Sequence, residues 1–154
     1  MLGLVAGLGN PGARYQGTRH NVGFDWVDRV TEAQKGRWRT QRRYQAEMAE
    51  WRADGGTVAI MKPQGYMNRS GASVAPYVAD KGLDPESVLV AHDDLDLPPG
   101  TVRLKCGGGH GGHNGLRDIV DRLGSKGFLR LRIGIGHPGS REEVTPFVLG
   151  RPTP

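Results

Sequence analysis

The chain has 154 residues, which is enough for one compact domain and hardly enough for two. With 36% hydrophobic and 24% charged residues it has the composition of a soluble globular protein, and its single cysteine, Cys106, excludes an internal disulfide framework and a cysteine-based zinc cage. No apolar run reaches the roughly 18 residues of a membrane span, and residues 1–7 lack the features of a signal peptide, so we expect a cytoplasmic protein.

Positive charge is concentrated in two segments of the chain. The net charge is +5 and the pI is about 9.7. Residues 35–43 carry five bases and no acid, and residues 103–132 carry seven bases against Asp118 and Asp121. Such runs are often only a solvated surface, but they are also typical of proteins that bind a polyanion such as RNA.

The first half of the chain predicts a strand, a helix and a hairpin. Residues 2–8 form a short apolar run closed by a Gly-Asn-Pro-Gly turn, which is typical of a buried strand. Apolar residues recur at helical spacing over residues 21–34. Alternation over residues 44–48 and a strand-like run at residues 57–61 flank an Asp-Gly-Gly turn, so we expect a hairpin there.

The second half predicts further alternation of strands and helices. Residues 70–81 form a weaker helix, because Pro76 requires either a nearby start or a kink. Two strands, a glycine-rich loop, a short helix and a last strand are predicted at residues 87–91, 101–105, 107–115, 116–123 and 129–135. The chain is therefore predicted to be one α/β domain, with a mixed, mostly parallel twisted sheet and helices on both faces.

Three familiar motifs match only in part. Residues 7–12 fit the G-x-G-x-x-G pattern of dinucleotide-binding enzymes, but Pro11-Gly12 does not open a helix that could receive a pyrophosphate, so a tight turn presenting Asn10 is favoured. Ser70, His20 and Asp93 could form a serine triad, but no G-x-S-x-G elbow surrounds Ser70, which could instead cap a helix.

A metal site is the third partial match. Its candidate ligands are His92, Asp93, Asp94, Asp96, His110 and His113. Adjacent side chains on a strand point to opposite faces, so Asp93 and Asp94 cannot easily share one ion. We expect no metal and no cofactor.

Polar side chains follow the predicted core strands. Asn10, the Tyr66-Met67-Asn68 loop and Asp93 each come at a strand end, where open α/β sheets bind ligands. His20 precedes the first helix near that edge, and a carboxylate such as Asp93 could fix its tautomer, forming a base and its orienting partner. A lone His and a lone Asp are otherwise common as packing residues.

Asparagines from three loops should meet at the same edge. Asn10, Asn68 and Asn114 each offer a carbonyl and an amide, so together they can hold water, a peptide backbone or a ribose without adding charge. Each of them could equally serve only to form a turn.

The motifs together resemble a known family. They are residues 7–12, Tyr15, residues 18–21, Gly23, residues 62–63, 66–68, 70–71, 93–96, 107–116, 130–136, Pro138 and residues 147–150. Their order and spacing, from residue 2 to residue 150, closely resemble bacterial-type peptidyl-tRNA hydrolase. The resemblance implies hydrolysis of the ester between a peptide and the terminal ribose of tRNA, which recycles tRNA during translation.

The resemblance also implies roles for single residues. His20 would be the general base for water and Asp93 its orienting partner, while Asn10 and Asn68 would position the peptide carbonyls and polarise the scissile ester. Substrate contacts would come from Tyr15, Tyr66, Met67, Asn68, His113 and Asn114, with Asn114 holding the water and His113 lining the tRNA acceptor end. Lys105 and Arg132 match family positions that grip tRNA phosphate.

One departure and one alternative accompany the resemblance. Family members usually continue beyond residues 147–150 into a C-terminal helix, which this sequence of 154 residues lacks, so stability and closure of the channel would be affected more than the catalytic groups. The family also includes RNA-binding members without hydrolysis, although intact His20, Asp93, Asn10 and Asn68 favour the enzyme. We expect a monomer that binds peptidyl-tRNA and no membrane.

Overall fold

The computed structural model describes residues 1–153, and of residue 53 only the backbone. Within that range the chain forms one sheet of seven strands, namely β1 (Leu4–Gly7), β2 (Arg39–Gln41), β3 (Ala46–Ala53), β4 (Gly56–Pro63), β5 (Val88–Asp94), β6 (Val102–Cys106) and β7 (Leu129–Gly134). Their spatial order is β2-β3-β4-β1-β5-β7-β6. The four central strands are parallel, and β2, β3 and β6 join antiparallel at the two edges. The predicted mixed, mostly parallel sheet is therefore confirmed.

Helices cover both faces of this sheet, as predicted. The described helices are α1 (Val22–Ala33), α2 (Gly71–Lys81), α3 (Asn114–Leu123) and α4 (Val144–Val148). Alternate residues of β1 separate the two cores: Leu4 packs with α2 and α3, whereas Val5 packs with α1. No helix within residues 1–153 has the length and apolar character that crossing a bilayer requires.

Close backbone packing requires a glycine in the first turn of α1. A Cβ on Gly23, in the first turn of α1, would lie 2.5 Å from the Ala91 carbonyl oxygen and 2.6 Å from the Leu8 nitrogen. Both distances are far below van der Waals contact, so only glycine lets α1 approach β1 and β5 this closely. That approach places the start of α1 directly over the ends of the two strands.

The structure differs from the predicted elements at Tyr44, at residues 39–41, at Pro76 and at α4, a helix that the sequence did not predict. Tyr44 does not extend β3, because Gln45 adopts a left-handed backbone (φ 48°) after a 3₁₀ turn, although Tyr44 still packs in the same core as Ala46. Residues 39–41 form an additional edge strand, which the run of exposed polar residues did not indicate. Helix α2 runs through Pro76, which lies on its exposed face.

Candidate active site

Several of the predicted site residues lie at or just after the carboxyl ends of β1, β4 and β5. Asn10 follows β1, Met67 begins a 3₁₀ turn after β4, and Asp93 is the penultimate residue of β5. His20 lies in a 3₁₀ turn directly before α1, and His113 ends the glycine-rich loop directly before α3. The convergence that the sequence predicted for this edge is present in the structure.

A buried carboxylate, Asp93, joins two imidazole rings. Its Oδ2 lies 2.8 Å from Nδ1 of His20, and its Oδ1 lies 2.7 Å from Nε2 of His113. Asp93 is 3% exposed, so both of its oxygens are shielded from bulk water. Because an ionised carboxylate only accepts hydrogen bonds, each ring donates an N–H to it.

These bonds fix the tautomers of both rings. Nδ1 of His113 accepts hydrogen bonds from the backbone N–H groups of Gly115 and Leu116 and caps α3, so this nitrogen carries no proton and Nε2 carries the N–H. His20 uses Nδ1–H toward Asp93, which leaves its Nε2 with a free lone pair. The His20 side chain is 13% exposed and lines the cleft, so that lone pair is available to a water or a substrate.

The charge of Asp93 is maintained despite its burial. Burial alone would raise the pKa of the Asp93 carboxyl, but the hydrogen bonds that His113 and His20 donate to it outweigh this effect, so the pKa lies below its usual 3.8. Asp93 therefore stays ionised and can stabilise a positive charge that forms on His20.

His92 is a third imidazole in this cluster, and sequence analysis treated it only as a metal ligand. Its Nδ1 donates to the backbone carbonyl of Asp93 at 2.8 Å, and its ring meets that of His113 edge to face at 5.2 Å. Burial lowers the pKa of His92 to about 4, and the neighbouring His113 adds to this effect. The ring is therefore neutral at pH 7, and its Nε2 is buried with no partner among the described residues.

Asn10 is held rigidly by its neighbours. Asn21 forms two hydrogen bonds to the backbone of Asn10, accepting from its N–H at 2.8 Å and donating to its carbonyl at 2.9 Å. The side-chain Oδ1 of Asn10 accepts from the N–H of Met67 at 2.7 Å. Since a backbone N–H must face the oxygen, the Nδ2 amide group is oriented the other way and keeps both N–H groups free. The clamp by Asn21 was missed from the sequence, where this residue was expected to open a helix.

The remaining predicted substrate contacts are mostly exposed. Tyr66 is 57% exposed and its ring stands edge to face with Tyr15 at 6.1 Å, while Met67 is buried beneath them. Asn68 is exposed and has no hydrogen bond to the other described residues. Asn114 is exposed and lines the same cleft as His20.

The two predicted phosphate-binding residues lie in this cleft as well. Lys105 is exposed, and Arg132 donates to Asp94 at 2.7 Å. Asp94 therefore points to a different partner from Asp93, as the alternation of side chains on a strand requires. A phosphate that binds Arg132 must share this guanidinium with Asp94.

The alternative motifs are not assembled as their chemistries would require. The hydroxyl of Ser70 donates to the Met67 carbonyl at 2.7 Å, and both oxygens of Asp93 are engaged by imidazoles, so no serine triad forms. The Gly-rich turn that follows β1 leads into a 3₁₀ turn at residues 13–15, and α1 begins only at Val22, so the turn does not open directly into a helix as the dinucleotide-binding motif requires.

His20, Asp93 and His113 do bring three possible ligand atoms within 4.8 Å of one another. Asp93 already accepts one hydrogen bond from each of the two histidines, and a metal ion that bound these atoms would have to break both bonds. Metal independence stays a prediction.

Two arginines support the site from outside, and neither was predicted in this role. The buried guanidinium of Arg130 donates to the carbonyls of Gly108 and Gly109 and thereby fastens the glycine-rich loop. Arg19 donates to the Phe147 carbonyl at 3.0 Å and stacks on that ring at 4.0 Å, which ties α4 to the turn that carries His20. The only feature of the sequence that could have indicated this role of Arg130 is its position as a basic residue inside an apolar strand pattern.

Comparison with known proteins shows the family to which the chain belongs. The family model for peptidyl-tRNA hydrolase matches residues 4–154. A peptidyl-tRNA hydrolase of Alkalilimnicola ehrlichii is 56% identical over 152 residues, covering 98% of this chain and 77% of that protein. The relative from Halorhodospira halophila is 51% identical over 98% of this chain and 78% of its own length. The crystal structure of peptidyl-tRNA hydrolase from Acinetobacter baumannii has a TM-score of 0.95 at 47% identity, covering 99% of this chain and 77% of that one. The chain belongs to the peptidyl-tRNA hydrolase family.

Proposed function

We propose that His20, oriented by Asp93, is the general base with which this enzyme hydrolyses peptidyl-tRNA. The bond cleaved is the ester between the peptide carbonyl carbon and an oxygen of the terminal ribose. The observation that carries the proposal is the pairing of His20 with Asp93, which leaves one imidazole lone pair facing the cleft. The ester has a better leaving group than an amide, so it is a suitable target for a positioned water.

In the first step, Nε2 of His20 takes a proton from water while the water oxygen bonds to the ester carbon. The proton gained makes His20 an imidazolium, and the ionised carboxylate of Asp93 at 2.8 Å stabilises this positive charge. The former carbonyl oxygen becomes an oxyanion. In the second step the ester C–O bond breaks, and His20 returns its proton to the departing ribose oxygen. The products are the free peptide acid and tRNA with a free terminal hydroxyl.

Asn10 is the donor that we assign to the oxyanion. Its Oδ1 is committed to the Met67 N–H, so only its Nδ2–H groups can face a substrate. A fixed donor stabilises a developing negative charge better than a mobile one, because it needs no reorganisation during the reaction. Asn21 contributes by holding the Asn10 backbone in place.

The exposed residues around the cleft would hold the rest of the substrate. Asn68 and Asn114 offer free amides to the peptide backbone and to water, and the edge-to-face pair of Tyr15 and Tyr66 offers an apolar wall. His113 has both ring nitrogens occupied, so any contact to the acceptor end would use the face or edge of its ring.

A hydrolysis assay tests this proposal directly. The purified chain should release free tRNA from an N-blocked aminoacyl-tRNA, at the same rate with and without a metal chelator. Binding of the substrate without release of tRNA would instead support the non-catalytic RNA-binding alternative. Activity that disappears in chelator and returns with a divalent ion would assign His20, Asp93 and His113 to a metal.

We also propose that the protein acts in the cytoplasm as a monomer. Its substrate arises during translation, and one chain supplies His20, Asp93, His113 and Asn10. Size-exclusion chromatography with light scattering should give a mass near 16.7 kDa, and a stable dimer would contradict the monomer.

A further inference from the structure

A second groove lies away from the catalytic cleft, at the sheet edge formed by β2 and β3. Its floor includes Met48 and Ala59, and Tyr77 of α2 forms part of one wall. Val74 and Val78 of α2 pack in the same core as Met48, while the outer strand β2 stays exposed. We call this surface the β2 groove.

Basic side chains dominate the lining of the β2 groove. They are Lys35, Arg37, Arg39, Arg43, Arg52 and Lys81. Glu50 is the acid in the lining, and Asp80 neutralises Arg43 through a 2.6 Å hydrogen bond. Among the described residues the other five bases form no ion pair. The groove therefore carries an excess of positive charge comparable with the net +5 of the whole chain.

Arg39 of the β2 groove and Lys105 of the catalytic cleft lie on the same face of the sheet. Arg39 lies opposite Met48, which packs in the core under α2 and α3. Lys105 lies opposite Arg130, and Arg130 lies beside Val90, which belongs to that same core. Partners in register share one face of a sheet, so Arg39 and Lys105 are on the face that carries α2 and α3.

The two basic surfaces are separated by the width of the sheet between them. Four steps between neighbouring strands lead from β3 to β7, which corresponds to about 19 Å at the usual spacing of strands. This distance is too long for one phosphate group and suits a polymer with many phosphates. Helices α2 and α3 lie between the two surfaces.

We propose that the β2 groove binds the phosphate backbone of the tRNA body while the acceptor end occupies the catalytic cleft. The proposal rests on the proposed function, because it assumes that peptidyl-tRNA is the substrate. Its chemistry is that of unpaired Lys and Arg side chains against regularly spaced phosphates, a contact that is independent of base sequence. A single small anion would contact only two or three of these basic side chains and would leave the positive charges of the others without a negative partner.

Salt titration of tRNA binding tests the proposal. Arg37 and Arg39 are exposed and make no side-chain hydrogen bond to the described residues, so the R37Q/R39Q variant should fold normally. With deacylated full-length tRNA as the probe, this variant should reduce the slope of log affinity against log salt by roughly 0.7 to 0.9 for each lost contact. The matched control is R29Q/K126Q, which removes two exposed bases that line neither cleft and should leave the slope unchanged.

Two measurements, hydrolysis of a minimal ester and the salt dependence of tRNA binding, separate failure of this proposal from failure of the proposed function. An ester that carries only the terminal nucleotide cannot span about 19 Å, so wild type and R37Q/R39Q should hydrolyse it equally. If they do so but their tRNA slopes coincide, or if the control lowers the slope as much, the β2 groove is not a tRNA site. If wild type hydrolyses no ester at all, the proposed function itself fails.

Discussion

At the scale of single residues, the site is built around one carboxylate that accepts hydrogen bonds from two imidazole rings. Asp93 can hold both His20 and His113 as donors because it is ionised and has an oxygen for each. The two rings are not equivalent, since His113 is also fixed by two backbone N–H groups and His20 is free on its outer nitrogen. This asymmetry is the reason for which we propose His20 as the base and His113 as a support for Asp93.

Removing the imidazole of His20 should abolish most of the catalysis. We expect His20→Ala to lower ester hydrolysis by at least about 100-fold, the lower end of general-base contributions, and to change tRNA binding little. Single-turnover hydrolysis of N-blocked aminoacyl-tRNA and equilibrium binding of deacylated tRNA measure the two effects separately. A variant with wild-type turnover would remove His20 from the mechanism.

Replacing Asp93 by its amide should act through the tautomer of His20. An asparagine offers one acceptor and one donor, and His113 requires the acceptor because its Nδ1 is committed to Gly115 and Leu116. The amide N–H₂ would then face His20, so Nδ1 of His20 must accept and Nε2 must carry the proton. Asp93→Asn should therefore lower turnover by about 100-fold or more while KM changes little.

Thermal unfolding provides the control for this variant. Asp93→Asn should retain a cooperative transition and the wild-type circular dichroism spectrum. An unfolded variant would instead make Asp93 a residue required for the fold, and its role in orienting His20 would need other support.

The buried ring of His92 predicts a pH dependence of stability. Its pKa is about 4 in the folded protein and 6.5 as the ordinary value, so between these pH values the unfolded chain binds a proton that the folded chain does not. The free energy of unfolding should fall as the pH drops from 6.5 to 4, by roughly 3 kcal/mol in total from this group. The pKa of Asp93 is lowered below 3.8, so the stability that its ionisation contributes is lost only below this range.

The His92→Asn variant isolates this effect. The asparagine Nδ2 can still donate to the Asp93 carbonyl, as Nδ1 of His92 does at 2.8 Å, but it does not titrate. Urea unfolding across the range from pH 7 to pH 4 should show a shallower loss of stability than in wild type. Parallel pH curves for the two proteins would show that His92 is not the titrating group.

At the scale of secondary-structure elements, the site is made where strands end and helices begin. β1, β4 and β5 deliver Asn10, the Met67 turn and Asp93, while the starts of α1 and α3 deliver His20 and His113. The elements could be predicted because buried strands and amphipathic helices have distinct periods, and the edge could be predicted because parallel strands share one carboxyl end.

The contacts that finish the site could not be predicted in this way. Asn21 was expected at a helix start but turns its amide onto Asn10, and His113 was expected against tRNA but bonds Asp93 and caps α3. A single side chain has several possible partners at similar sequence distance, and only the packed loops decide among them. Strand β2 was missed because its three residues are all exposed, so they carry no hydrophobic pattern.

At the scale of the whole molecule, basic side chains are grouped at two separate surfaces, the β2 groove and the catalytic cleft. Lys105 and Arg132 line the cleft itself, and both belong to the segment with seven bases against two acids. Arg132 is partly neutralised by Asp94 at 2.7 Å, whereas Lys105 has no acid partner among the described residues. Family membership and the fold predicted from the sequence are confirmed, and the phosphate contact of these two residues stays a prediction.

The Lys105→Ala, Arg132→Ala double variant should weaken binding of full-length tRNA without changing the chemical step. Each lost phosphate contact should reduce the slope of log affinity against log salt by roughly 0.7 to 0.9, because fewer counterions are released. Removing Arg132 alone also frees the charge of Asp94, so the D94N/R132Q variant, which removes the ion pair without changing net charge, is the matched control. If Arg132 binds phosphate, this control also loses affinity; if Arg132 only neutralises Asp94, it binds tRNA as wild type does. Superimposable salt slopes for wild type and the double variant would place the phosphate contacts outside the cleft.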